Sequence, residues 1–532
     1  MSAISKDLQK KIMSDYAALV RDGLATLTAV RKKLSAKYNL AYSTIYKITT
    51  NGYKSSSNNV TVPANYEVKK PPQIKHKYPK TYIFLGWEIR VELSGFIKIV
   101  DQLQQDHNAE VFVTCLWPDD VSYLPTELQK YNLLLNDLQL NNNLIFKYVP
   151  THALAMSPVQ GWDGAFDKSA IIPGLIREVK TAMTDKHCKQ IMTTGSLGCL
   201  TAQFEQYNHI TESSSRIEFH KRWAVVNTQN RRGGRNYEIA RTYTKPTALI
   251  VDIIDENTFL SRYVSMEPKS NCAYDLNKKY TVNGSSPQIS RPSALVVGDV
   301  HAYGIDQQKF SATKDIITTL NPEKVVIQDV FDGASINHHE FKDYANVVKF
   351  PSLSEEARIT KNVISDFCTI ADKVIYLHSN HDDFLVKFLA EESNYKVNNN
   401  YQTALELRSW QIGTDKHPII KLLSLDEFKN LKFISVFDNL YISGILVKHG
   451  HEGIAGRRVG FRPLLKIYNG YIQGHTHSPE VYRNGMCVGT TSKLKMGYNY
   501  GASAWMHTDG LIQPDGSIQS INVINGVWRK NE

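Results

Sequence analysis

Cysteine is scarce in this chain: six occur in 532 residues, at positions 115, 188, 199, 272, 368 and 487, with no Cys-x-x-Cys spacing and no paired framework. A disulfide-stapled scaffold is therefore not expected. No apolar run approaches the roughly 20 residues that span a bilayer, so no membrane segment is expected either. The start, Met1-Ser-Ala-Ile-Ser-Lys-Asp, lacks the apolar core of a signal peptide. Together these absences give the expectation of a soluble protein in a reducing cytoplasm. Internal repeats are also missing. An apolar content of 42% is ample for real cores in three or so domains, which excludes a disordered chain. The formal net charge of +10 leans modestly toward polyanionic partners.

Composition shifts divide the chain. Residues 1–50 read as a helical module, with helical spacing from Asp7 to Val20, a second helix from Leu27 to Lys37, a turn at Tyr38-Asn39-Leu40 and a third helix over residues 41–48. Two short helices across a tight turn look like a helix-turn-helix. Ser43, Thr44 and Lys47 would then lie on a recognition helix entering a major groove, and Arg31, Lys32, Lys33 and Lys37 would meet phosphates, making DNA the expected partner. The competing reading is a helical bundle that assembles a homo-oligomer. Residues 51–80, with Ser55-Ser-Ser-Asn-Asn59 and Pro71-Pro72, read as a linker. Residues 81–265 read as an α/β domain of unassigned role, with strands at Thr81–Leu85, Glu110–Thr114, Lys189–Thr193 and Ala248–Asp252. Residues 266–292 read as an irregular connection, and residues 293–532 as the unit that carries chemistry.

Seven potential metal ligands fall in that last unit. They arrive in Gly-Asp-Val-His (298–301), Gln-Asp-Val-Phe-Asp (328–332), Ser-Asn-His-Asp (379–382), His-Gly-His (449–451) and Gly-His-Thr-His (474–477). With one residue between them, Asp299 and His301 face the same side of an extended segment and can grip one divalent ion; His475 and His477 repeat that fork with two imidazoles. Asp329, Asn380 and His449 add a carboxylate able to bridge two cations, a neutral carbonyl oxygen and a further imidazole. The set mixes nitrogen and oxygen without thiolate, which points to manganese, iron or zinc in a hydrolytic site and away from structural zinc or an iron–sulfur cluster.

The flanking sequence agrees. Ser293–Val297, Lys324–Ile327, Lys373–Leu377, Leu440–Val447 and Tyr471–Gln473 read as strands, each followed by a ligand. Between the first three lie helical stretches such as Glu355 to Ala371, whose apolar face is Ile359, Val363, Ile364, Phe367 and Ile370. Strand and helix in alternation imply a parallel sheet, with ligands beyond the strands' carboxyl ends. Blander readings attach to the other polar residues. His338, His339, His378 and His417 read as ordinary hydrogen-bonded histidines, His451 as either cleft or surface, and Asp382 and Asp383 as caps of the helix suggested by Phe384–Leu389.

This ordered set resembles the calcineurin-like metallophosphoesterase superfamily, whose signature runs Asp-x-His, Gly-Asp-x-x-Asp, Gly-Asn-His-Asp/Glu, His and Gly-His-x-His. The resemblance covers about residues 293–510. It implies a fold of the α/β class in which a helix-flanked β-sandwich follows the α/β middle domain and the helical module. It also implies that Asp299, His301 and His477 hold a first divalent ion and Asn380, His449 and His475 a second, with Asp329 bridging them. His381 would stand beside the scissile phosphate as proton donor or charge stabiliser, oriented by Asp332. Two divalent ions are implied, Mn2+ foremost, with Mg2+, Fe2+ or Zn2+ as alternatives, and a hydroxide activated between them would attack phosphorus. Two departures touch loop geometry and no ligand: Gln328 and Ser379 stand where the family has glycine.

Within the superfamily, protein phosphatases carry arginine directly after the second aspartate of the second motif, where this chain has Gly333, and glutamate where it has Asp382. The helical module, the basic balance and Arg457, Arg458 and Arg462 fit DNA better, so the resemblance is to nucleases of the SbcD type. The whole layout, from Leu85-Gly-Trp-Glu-Ile-Arg90 to Gly489-Thr-Thr-Ser-Lys-Leu494, further resembles metallophosphoesterases of T-five-type tailed phages. That implies degradation of host DNA in an infected bacterial cytoplasm. The alternatives are a phosphomonoesterase or nucleotide phosphodiesterase acting on small substrates, and a DNA-binding regulator with a vestigial metal site.

Overall fold

Three short apolar runs become parallel strands buried on both faces, and a fourth, half-exposed strand pairs parallel at their edge. They are β1 (Ala294–Val296), β2 (Val325–Gln328), β3 (Val374–Leu377) and β4 (Leu431–Ile434). A second sheet is built from β5 (Leu440–Ile442), β6 (Ile445–Val447), β7 (Tyr471–Gln473), β8 (Glu480–Tyr482) and β9 (Gly485–Cys487), in the order β5-β6-β7-β9-β8. Two antiparallel strands, β10 (Thr508–Ile512) and β11 (Ile518–Asn522), extend the first sheet to the order β4-β3-β2-β1-β10-β11. The run Leu440–Val447, expected as one strand, is a hairpin. Ser443 (φ 47°) and Gly444 (φ 80°) both take left-handed backbone, the geometry of the tightest two-residue turn.

The structure is a computed structural model. It describes residues 11, 12, 15, 27–38 and 45, then 78–146, 169–196 and 246–530 with gaps at 88–94, 116–123, 135–137, 143, 173–178, 185–186, 194, 268–269, 285, 337–351, 392–399, 454–459, 483 and 497–503. Residues 1–70 with 202–237 form one compact unit, and 71–201 with 238–532 another.

In the larger unit the two sheets pack face to face. Val296, Val326, Ile375 and Leu377 from the first meet Ile445, Val447, Ile472, Met486 and Val488 from the second in one buried apolar cluster. The opposite face of the first sheet is covered by α1 (Gln307–Leu320), α2 (Leu353–Ile370), α3 (Asp382–Ala390), α4 (Tyr401–Thr414) and α5 (Pro418–Leu422). On α2, Val363, Ile364 and Phe367 are fully in that core, while Ile359 and Ile370 pack at its edge. Burying each such side chain contributes about 1.5–3 kcal/mol. The helix begins at Leu353 because the Ser352 side chain accepts the Glu355 N–H at 3.3 Å.

The region read as one α/β domain serves two sheets. Phe259–Ser265, Thr247–Ile253, Lys80–Trp87, Glu110–Cys115 and Asn132–Leu133 lie side by side, with the helix Phe96–Asp106 crossing between the parallel pair Lys80–Trp87 and Glu110–Cys115. Strands between Leu138 and Thr193 instead continue the second sheet beyond β8, bringing it to 10 strands. Residues read as an irregular connection contain the small antiparallel sheet Cys272–Asp275, Lys278–Thr281 and Gln288–Ile289. Strands of two to four residues are too short to show alternation, and Leu276 at φ 53° supplies a turn that its side chain does not advertise.

Beside that sheet lies a buried charge network. Arg262 donates to Asp252 at 2.5 Å and to both oxygens of Asp275 at 2.7 and 2.9 Å; His107 reaches Asp275 at 2.9 Å, and Thr81 donates to Asp252 at 2.7 Å. Gln519 of β11 donates to Asp275 and to the Tyr263 carbonyl, tying the upstream sheet to the first sheet of the sandwich.

In the smaller unit the expected helix appears as Leu27–Tyr38, where Lys37 and Tyr38 both bind the Asp15 carboxylate at 2.5 Å. Lys37 is thus engaged by a carboxylate, and Arg31 is half-buried. Ser43, Thr44, Lys47 and the Lys32 side chain lie outside the described residues, as do the bulk of the two other expected helices and Arg457 and Arg458. Among the described residues, no helix is long and apolar enough to cross a membrane, and Cys272, Cys368 and Cys487 are free thiols.

Candidate metal centre

The loops that leave β1, β2, β3, β6 and β7 converge, and each brings the side chains singled out in the sequence. Asp299, His301, Asp329 and His477 are all buried and offer ligand atoms within 4.8 Å of one another. His301 Nε2 lies 3.0 Å from His477 Nε2 and 3.2 Å from Asp329 Oδ2, and His477 Nε2 lies 3.1 Å from Asp299 Oδ2. On the other side of Asp329, His449 Nε2 is 3.9 Å from its Oδ2 and 3.0 Å from Asn380 Oδ1. The His475 ring stands 5.2 Å from that of His449, centroid to centroid, and its main-chain N–H donates to Asp299 Oδ2 at 2.6 Å.

Backbone geometry makes this convergence possible. His301 (φ 47°), Asp329 (φ 50°), His475 (φ 68°) and His477 (φ 56°) all occupy the left-handed region, which costs a side-chain-bearing residue on the order of 1–3 kcal/mol and persists only where surroundings enforce it. The surroundings are main-chain hydrogen bonds between the loops: His301 N–H to Asp329 C=O at 2.8 Å, Gly474 N–H to His449 C=O at 3.0 Å and Thr491 N–H to Asp299 C=O at 2.7 Å. Gly474 is obligatory, since a Cβ there would collide with the Asp299 carboxylate and the Gln328 amide.

Electrostatics report the crowding. Burial, then the charge of Asp329, pushes the Asp299 carboxyl far above its ordinary range. Burial would do the same to Asp329, but the imidazoles of His381, His301 and His449 outweigh it and hold that carboxyl down. Burial alone would lower His301; Asp329 and Asp332 reverse the sign and hold it up at about 9. His477 is pushed down to about 3 by burial and by its neighbour His301. Among the described residues, no arginine or lysine pairs with the cage carboxylates. Asp299 Oδ1 and Asp329 Oδ1 are buried without a hydrogen-bond partner, and buried carboxylate oxygens left so call for a cation. These residues fit divalent ions, with mixed nitrogen and oxygen donors and no sulfur.

Partners behind the ligands fix their orientation. His301 Nδ1 pairs with Asp332 Oδ1 at 2.9 Å, which leaves its Nε2 lone pair facing the cage. The other Asp332 oxygen accepts the Tyr303 N–H at 2.7 Å. Asp332 was expected as the partner of His381; the contact between them is to its main chain, where His381 Nδ1–H donates to the Asp332 carbonyl at 2.6 Å. His381 Nε2 is then the free atom, 3.9 Å from Asp329 Oδ2.

Several supporting residues carried no sequence signal. Gln328 is buried, and its Oε1 lies 3.4 Å from His449 Nδ1 while its amide donates to the Val297 carbonyl. Asp509 accepts from Gly298 N–H and from the buried Lys309, anchoring the Asp299 loop. Glu356 accepts from Ala334 N–H, Ser335 N–H and Ser335 Oγ, anchoring the loop after Asp332.

A second cluster, His378, Asp383 and His417, also offers ligand atoms within 4.8 Å of one another, but main-chain N–H groups face Nδ1 of both rings. Val436 N–H donates to His378 Nδ1 and Ile419 N–H to His417 Nδ1, each at 3.2 Å. A neutral imidazole that accepts at Nδ1 carries its proton on Nε2, the atom facing Asp383 at 3.1 Å (His378) and 3.8 Å (His417). Asp383, expected as a helix cap, therefore serves these two rings. Asp382 turns back to accept Ser379 N–H at 2.9 Å and Tyr376 Oη at 2.8 Å, which fixes the Asn380 loop. His451 lies between the two clusters, its ring 5.4 Å from His449 and 6.0 Å from His378.

No family model matches the chain. Protein A1 of Escherichia phage T5 is 27% identical over 309 residues, covering 52% of this chain and 54% of that protein. The chain spans about half the length of this curated relative. The similarity fits the expected likeness to phage proteins.

Proposed function

We propose that the chain is a metal-dependent deoxyribonuclease that hydrolyses phosphodiester bonds, acting on host DNA in an infected bacterial cytoplasm. The observation that carries this reading is the buried cage of Asp299, His301, Asp329 and His477, with its unpartnered carboxylate oxygens and with Asn380, His449 and His475 alongside. Similarity to a phage protein supports the setting, and the basic balance supports a polyanionic substrate.

Divalent ions held there would lower the pKa of water to about 7 and stabilise charge developing on phosphorus. The chain's own residues supply the rest. Asp329, between the two ligand groups, is placed to be shared by both. His301 is locked in its ligating tautomer by Asp332. His381, its Nδ1 proton committed to the Asp332 carbonyl, presents Nε2 to the cage and can hold a proton for the departing alkoxide. Because that proton acceptor is a main-chain oxygen, substituting the Asp332 side chain leaves the His381 contact in place and acts through His301.

The test incubates circular and linear duplex DNA, a nucleotide diester and an aryl phosphate with the protein in Mn2+, Mg2+ or chelator, beside Asp329→Asn. The expected outcome is metal-dependent DNA cleavage, abolished by chelator and reduced more than about a hundredfold by Asp329→Asn, since losing even a residue behind a ligand costs 10–100-fold. Turnover of the small phosphates with DNA left intact would replace this reading by that of a small-substrate phosphoesterase. Metal uptake with no hydrolysis of any substrate would leave a metal-binding regulator.

A further inference from the structure

The His449-Gly450-His451 turn has two sides. One carries His449 into the cage. The other walls a cleft of about 300 Å³ whose lining includes Leu464, Ile467 and Tyr468 along an apolar ledge and Asn439, Lys448 and His451 among its polar groups. Gly450, at φ 100°, makes the turn, and a side chain there would run into Gln473. Ile467 is 62% exposed on the ledge. His451 Nδ1 is buried with no hydrogen-bond partner, and a buried polar atom so placed calls for a partner. One N–H of Lys448 is fixed to the Val436 carbonyl at 2.6 Å, which holds the ammonium at the cleft.

We infer that this cleft seats the nucleoside adjacent to the scissile phosphate. The inference rests on the hydrolase reading only in placing that phosphate in the cage. Three features select a nucleoside over a plain alkyl or aryl group. The apolar ledge suits a base face. Asn439 offers both a donor and an acceptor to a base or sugar edge, and His451 Nδ1 supplies a further polar contact. Lys448 supplies a cation toward the neighbouring phosphate. The volume lies at the low end for small-molecule sites, which run about 300–1,000 Å³, so it admits one base and sugar and not a base pair. The nucleotide that enters must therefore be unpaired, at a strand end or lifted from its stack.

Calorimetric binding of thymidine 5′-monophosphate, phenyl phosphate and inorganic phosphate to the Mn2+-loaded full chain tests this, using wild type, Ile467→Ser and Tyr468→Ala. The expected result is that each substitution weakens thymidine monophosphate about tenfold, the loss of one base-stacking wall, and lowers its affinity relative to inorganic phosphate by the same factor. Ile467 is exposed, so its variant keeps the test open even where Tyr468→Ala perturbs folding. An unchanged ratio, or an equal loss for phenyl phosphate, overturns the assignment. Should the protein cleave no phosphoester yet bind the nucleotide in an Ile467-dependent way, the cleft stands and the catalytic reading falls. DNA cleavage with an unmoved ratio does the reverse.

Discussion

Two pairs of buried aspartates in this fold differ in what surrounds them. Asp252 and Asp275 close upon Arg262, Thr81, His107 and Gln519, and every one of their oxygens has a donor. Asp299 and Asp329 stand among histidines and each retains a buried oxygen with none. The first group is complete within the protein. The second is complete only when something positive enters it, because burial makes an uncompensated carboxylate expensive.

The contrast can be tested from both ends. The largest effect is expected at the closed network: Arg262→Met strands two buried carboxylates and should cost about 3–5 kcal/mol in denaturant unfolding, while the stabilisation gained on adding Mn2+ stays as in wild type. The open cage should respond to the ion itself. Saturating Mn2+ at about 100 times its Kd should add about 2.7 kcal/mol, read as a rise in Tm, and Asp329→Asn should abolish that increment without loss of secondary structure by circular dichroism. If Arg262→Met removed the increment too, the two clusters would not be independent.

Smaller effects sharpen the boundary of the cage. Gln328→Ala removes the acceptor behind His449 and should weaken Mn2+ binding or turnover about 10–100-fold, with little change in metal-free stability. Glu356 tests the support beneath Asp332. Its carboxyl is held up at about 7, by burial and then by the Asp332 charge, against an ordinary 4.5. The folded state thus favours its protonated form, and the stability this contributes is present below pH 4.5 and lost as pH rises to 7. Glu356→Gln has nothing to titrate and should lose less stability across that window than the parent protein in parallel urea titrations.

The cage residues were readable in the sequence because each follows an apolar strand and the order of the five motifs carries information that no single motif has. The expected helix over 355–371 was readable for a similar reason, having a period that eighteen residues suffice to display. What stayed hidden has physical causes. The strands between Cys272 and Ile289 are too short to alternate. The hairpin within residues 440–447 depends on Ser443 adopting a conformation that serine seldom takes. The destination of the strands between Leu138 and Thr193, in the second sheet rather than beside Lys80–Trp87, is a long-range pairing that local pattern does not encode. Gln328, Asp509 and Glu356 act from behind the ligands, where a residue's value depends on what folding brings opposite it.

Three loops carrying candidate ligands take unfavourable backbone angles at four residues as part of the fold, held by bonds to one another. Such a receptor is finished before its guest arrives. If cations bind there as proposed, they would have little chain to reorganise, so loaded and empty forms would superpose closely, and discrimination among cations would fall to donor chemistry and to the ion's readiness to shed water instead of to any closing motion of the protein.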